Sequence, residues 1–205
     1  VGKYIVAPDG VSLEDFEIKK TKEQLRTELG LPLDKKIILY TGYFYKWKGV
    51  DVLIEAAKYL NPDELMVLVG GSDVDIARMQ ALHADANQGK IQFIGHKPYS
   101  QMPQYQMAAD CLVVTTAKSD EGMGTFSSPL KLFEFMASGN PIVASDSVSI
   151  REVLTTDRNA VLVEPEEGAQ MAEGIHRVLQ DEQFAQRISK QAKKDVLQNT
   201  WHTRA

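Results

Sequence analysis

The chain is short of the residues that build disulfide scaffolds, basic interaction surfaces and membrane spans. Cys111 is the single cysteine among 205 residues, so no disulfide can form within the chain, which fits a reducing compartment. It lies in the apolar run "CLVVTT" and reads as a small buried hydrophobe. Lys and Arg total 23 against 28 acids, a net charge of −5. No basic stretch is present that could release counterions from phosphates, which argues against nucleic-acid binding. No apolar run approaches the roughly 18 residues needed to cross a bilayer, and nothing at the start resembles a signal peptide. The expectation is a cytoplasmic protein without a transmembrane segment, with membrane-surface association left open to the full-length protein. The first residue is Val1 and "VGKYIVAPDGV" begins mid-flow, so we read the chain as part of a longer protein.

What is present is ordinary soluble-domain chemistry, 43% hydrophobic and 25% charged, enough for one domain over residues 1–205. Six short apolar or β-branched runs recur: 37–42, 65–71, 91–96, 111–116, 141–146 and 160–165. They are continuous and do not alternate, as suits strands buried on both faces of a parallel sheet. Helical patterns lie between them. Val50, Leu53, Ile54, Ala57 and Leu60 share one face, and Ser72 is placed to cap the next helix. Thr21 and Gln24 form a candidate capping box, with Gly30 as the stop. Helical patterns resume at 168 and again near 181. The expected fold is α/β, a doubly wound parallel sheet of about six strands with helices on both faces. Ligands of such sheets bind beyond the carboxyl ends of the strands, near residues 42, 71, 96, 116 and 146.

Two segments there carry candidate chemistry. In "TGYFYKWKGV" (41–50), Gly42 permits a tight turn and Lys48 sits at an expected helix start, a natural anion site; the plain alternative is a solvated lysine. In "SSPLKLFEFMASGNPIVASD" (127–146), Lys131 and Glu134 form a narrow polar stripe, extended by Ser127 and Ser138, on a helix otherwise greasy on almost every side. Ser128 is a candidate N-cap and Pro129 a first helical residue, which would leave free amides near Leu130 and Lys131. Glu134, one turn deeper, could accept two hydrogen bonds from a vicinal diol. The alternative is an exposed Lys131–Glu134 ion pair. "DVD" at Asp73–Asp75 is better explained by acids favoured in a first helical turn than by a metal site. "GMG" at 122–124 follows the fourth strand and is no dinucleotide fingerprint. The histidines show no metal-ligand spacing; His96 alone ends a strand on the ligand side, as a pocket wall or a plain loop residue.

In combination these segments resemble the C-terminal, donor-binding domain of group 1 retaining glycosyltransferases, whose two-domain architecture is the GT-B fold with Rossmann-like halves. The likeness runs through "APDGV" (7–11), "ILYTGYFYKWKGVDVLIEAA" (38–57), "LVGG" (68–71), "IQFIGH" (91–96), "YQMAADCLVV" (105–114) and "PLKLFEFMASGNPIVASD" (129–146). It implies that this half binds a nucleotide-sugar such as a UDP- or GDP-hexose. Lys48 would contact the diphosphate, Glu134 the ribose hydroxyls, and backbone amides from Ser127 and Ser128 through Leu130 and Lys131 would cradle the phosphates. Gly42, Gly71 and His96 would line the same site. It further implies hexosyl transfer with retention, no cofactor and no metal, and an N-terminal acceptor domain that is absent from this chain. Lys48 and Glu121 would be the catalytic pair. Two departures stand out. Tyr43 occupies the place of a common arginine, so one phosphate contact is missing or supplied from elsewhere. Phe126 lies eight before Glu134, where a first glutamate is usual, and Glu121 in "EGMG" serves from a longer loop or that contact is absent. A nucleotide-sugar epimerase of the same architecture and a non-catalytic scaffold subunit are the alternatives.

Overall fold

A computed structural model describes residues 9–82, 89–117 and 130–204. Its centre is a six-stranded, wholly parallel sheet of β1 (Lys36–Thr41), β2 (Glu64–Val69), β3 (Ile91–Ile94), β4 (Cys111–Val114), β5 (Ile142–Ser145) and β6 (Val161–Val163), in the order β3-β2-β1-β4-β5-β6. All six expected strands are present, displaced by a residue or two at their ends. The apolar runs are continuous because successive residues serve two cores. Ile37 and Leu39 of β1 join the core beneath one face, while Ile38 and Tyr40 join the other.

Helices cover both faces. On one lie α2 (Asp51–Ala57), α3 (Asp73–Leu82) and α7 (Gly168–Gln180). On the other lie α1 (Lys22–Leu29), α4 (Met102–Ala108), α5 (Leu130–Ser138) and α6 (Val148–Arg151). The longest helix, α8 (Glu182–Asp195), spans both cores, sending Ile188 to the first and Ala192 to the second. A short α9 (Trp201–Arg204) brings the chain back beside its start, where Val11 and Thr200 form a single parallel bridge.

The local stop and start signals operate as the residue types dictate. Thr21 and Gln24 make the reciprocal capping box of α1, and Gly30 ends it at φ 67°. Ser72 accepts from the Asp75 amide while the Asp75 carboxylate accepts from the Ser72 amide and hydroxyl. Asp75 of the "DVD" triplet is therefore spent on a helix start. No helix among the described residues is long and apolar enough to cross a membrane.

Sheet order reverses between β1 and β4, and the two strands part early. Their ladder pairs Ile38 with Cys111 and Leu39 with Leu112, whereas β1 pairs with β2 as far as Thr41 and Val69. Helices leave the two strands towards opposite faces, so a crevice opens at their carboxyl ends. Across β1 and β2 the chain is pinched instead. Gly70 has φ 125°, and a Cβ there would lie 2.0 Å from the Gly42 carbonyl oxygen. A Cβ on Gly71 would lie 2.6 Å from the Phe44 ring. "LVGG" is thus a requirement for close approach. Gly70→Ala is expected to lower unfolding stability by about 3 kcal/mol, from backbone strain plus overpacking, measured as a shift in the urea midpoint at constant m-value.

Candidate functional site

The first wall of the crevice follows β1. Residues 43–49 form a bridge whose only regular piece is a 3-10 turn at Lys46–Lys48; α2 begins later, at Asp51. Lys48 therefore precedes the helix and is not in its first turn. Gly49 closes the turn at φ 64°, packed so near the Thr116 backbone that a Cβ would lie 3.1 Å from it. The turn is latched to the end of β4: the Thr115 hydroxyl donates to the Lys48 carbonyl at 2.6 Å, and the Ala117 amide donates to the Trp47 carbonyl at 3.1 Å. Arg78 of α3 donates to the Phe44 carbonyl at 3.2 Å. Lys48 is half-buried, its ammonium 4.0 Å from the centre of the Trp47 ring, and burial holds its pKa below the usual lysine range. Trp47 stacks on Tyr45 at 6.0 Å and Tyr45 on Tyr43 at 5.1 Å, so a column of rings ends on Lys48.

The second wall is α5. Its sequence is greasy because Leu132, Phe133, Phe135, Met136 and Ala137 are all buried against the sheet and its neighbouring helices. The polar pair does not form an exposed ion pair, since Glu134 is only 6% exposed. Its Oε1 accepts from the Tyr99 hydroxyl at 2.7 Å and its Oε2 from Gln106 Nε2 at 3.1 Å. Among the described residues each oxygen has one donor, which leaves it capacity to accept another hydrogen bond. Lys131 reaches to the end of β1, where its ammonium donates to the Thr41 carbonyl and, at 3.2 Å, to the Thr41 hydroxyl. That carbonyl lies beyond the last pairing of β1 with β4. Burial lowers the Lys131 pKa to about 8, Glu134 opposes the shift and Lys48 adds to it. Lys48, Lys131 and Glu134 thus share one electrostatic neighbourhood at the switch point.

The other expected residues distribute unevenly. Gly42 sits beside the Lys131 ammonium, 3.3 Å from where a Cβ would stand. Gly71 closes the pinch behind Phe44. His96 follows β3 and is exposed, on the strand-end side. Leu130 opens α5 and is half-buried. Glu121, Ser127 and Ser128 lie outside the described residues. Sequence reasoning missed Thr41, Tyr99 and Gln106. Gln106 carried a signal, a polar residue on a helix face shared with Pro103 and Tyr105, and it is fully buried with its Oε1 unpartnered among the described residues. A cavity of about 540 Å³ lined by Lys22, Asp110, Asn140 and Lys193 belongs to the opposite, amino-terminal ends of the strands; of the expected polar stripe it holds only Ser138, which α5 carries away from Lys131 and Glu134.

A parallel sheet of order 3-2-1-4-5-6 with helices on both faces is the architecture of a Rossmann-like domain, and here cations and a buried acid converge at its switch point. The family description "Glycosyl transferases group 1" matches residues 21–195, and the chain belongs to that family. It is 30% identical over 186 residues to the D-inositol 3-phosphate glycosyltransferase of Xylanimonas cellulosilytica, covering 86% of this chain and 43% of that protein. The Anabaena protein Alr3699/HepE, solved with UDP and glucose, superposes with a TM-score of 0.80 at 21% identity, over 93% of this chain and 51% of that one. The C-terminal domain of the Francisella tularensis group 1 glycosyltransferase LpcC superposes with a TM-score of 0.75 at 25% identity, over 92% and 97%. The chain spans about half the length of the curated relatives it matches, 43% and 49% of the first two.

The lowered Lys131 pKa makes a stability prediction with a definite sign. Above the folded pKa of about 8 and below the usual lysine value of 10.5, the unfolded chain holds the proton that the folded chain releases. Stability from this group therefore rises with pH across that window and is flat below it. Burial also lowers the pKa of the neighbouring Lys48, which acts in the same direction, and pushes the Tyr40 phenol above its usual range. Lys131→Met is expected to stabilise the free protein at pH 7 by about 1–3 kcal/mol. Its advantage over the parent should shrink between pH 8 and 10.5, read by urea unfolding of both proteins at each pH.

Proposed function

We propose that this chain is the donor half of a glycosyltransferase that moves a hexosyl unit from a nucleoside-diphosphate sugar to an acceptor with retention of anomeric configuration. The acceptor would be held by an N-terminal domain outside this chain, and closure of the two halves would exclude water that otherwise competes as acceptor. The observation that carries the reading is the convergence of Lys48 and Glu134 on one crevice at the β1/β4 switch point. Lys48, latched to β4 through its own carbonyl, would face the diphosphate and stabilise charge on the leaving group. Glu134 would take the ribose hydroxyls with the lone pairs that Tyr99 and Gln106 leave free. Backbone amides at Ser127, Ser128, Leu130 and Lys131 would add the positive end of α5, and Glu121 would serve the donor sugar. With lysines and amides supplying the positive charge, the proposed transfer uses no metal and no cofactor. The relatives found are glycosyltransferases, which favours transfer over the epimerase and scaffold alternatives.

Calorimetric titration with UDP and GDP tests this. One of the two is expected to give heat that Lys48→Ala and Glu134→Ala each abolish. At 100 times its Kd that nucleotide should add about 2.7 kcal/mol to unfolding stability. Equal heats in parent and both variants would remove the proposal.

A further inference from the structure

Lys131 presents a problem that its contacts in the free protein do not solve. An ammonium has three protons to donate, and the Thr41 carbonyl and hydroxyl account for two acceptors. Among the described residues, the carboxylate that acts on it is Glu134, which already accepts from Tyr99 and Gln106. Among the described residues, the other charge that acts on it is a second lysine, Lys48, which raises the cost of keeping both ammonium groups in one half-buried basin. Gly42 lies beside the ammonium and has no side chain to fill the space, where a Cβ would come within 3.3 Å of Nζ. Two like charges from separate elements are thus brought together at the carboxyl ends of β1 and β4, where among the described residues neither makes an ion pair, an arrangement suited to an anion.

We propose that the side chain of Lys131 is the second cation of the donor site, binding the diphosphate directly together with Lys48, an assignment that rests on the donor reading above. In the free protein it is parked on the Thr41 carbonyl, where β4 has parted from β1. On binding, its free proton, and those released from Thr41 as needed, turn to a phosphate oxygen. The place of Tyr43, which carries no charge, is thereby compensated from the opposite wall of the crevice. The rival account is that Lys131 only ties α5 to β1.

Titrations followed by NMR, which reach millimolar dissociation constants, separate the two accounts. UDP (or GDP, whichever gives heat) and its parent nucleoside are each titrated into the unaltered protein, Lys131→Met and Lys131→Arg. Lys131→Met should weaken the diphosphate at least tenfold while leaving the nucleoside within twofold, and Lys131→Arg should recover most of the loss. A measurement on the unaltered protein is independent of how the variants fold. Brief acetylation at pH 8, read by mass spectrometry, should modify Lys131 severalfold less in the presence of UDP than of uridine at equal occupancy. A diphosphate that binds Lys131→Met as tightly as the parent, or equal protection by nucleoside and diphosphate, overturns the assignment and leaves the donor reading standing. No nucleotide binding to the unaltered protein overturns both.

Discussion

The early parting of β1 from β4 is the constraint on which the rest of the structure depends. With the ladder ending at Leu39 and Leu112, the Thr41 carbonyl has no β4 partner and the loops after the two strands are free to separate. One loop carries Lys48 and is tied back across the gap by Thr115 and Ala117. The other leads to α5, whose Lys131 reaches across to Thr41. The crevice is therefore bridged from both sides by polar contacts that leave cations at its mouth. An apolar seal would be more stable and would bind nothing charged.

The buried charges show the same balance. Elsewhere in the chain they are matched: Arg26 meets Asp110 and two backbone carbonyls, and Glu64 meets His176 and Asn61. At the switch point two ammonium groups are lowered in pKa by burial and, among the described residues, neither makes an ion pair. Stability surrendered at one place in a fold otherwise well satisfied is what a functional site is expected to show.

The fold was largely legible because its signals are local. Continuous apolar runs marked all six strands, and the capping residues Thr21, Gln24, Gly30 and Ser72 work in the structure as their types imply. Lys48 and Glu134 stood out by position, one near an expected helix start and one on a polar stripe of an otherwise greasy helix, while the roles expected of them came from the family resemblance. What could not be read was direction and distant partnership. Lys131 lies 90 residues from Thr41, and Glu134 lies 35 and 28 residues from Tyr99 and Gln106. No period of 3.6 or 2 carries such pairings. The sequence showed a polar stripe on α5, and only the packing shows that its lysine points to β1 while its acid is held by the segment after β3 and by α4.

Mapping where a nucleoside diphosphate perturbs the backbone amide spectrum tests the central claim most directly. The account predicts that UDP or GDP shifts the amides of Thr41–Gly42, Lys48–Gly49 and Leu130–Glu134 together, in one saturable process. Shifts confined to the opposite edge around Lys22, Asn140 and Lys193, or to only one wall of the crevice, would contradict it.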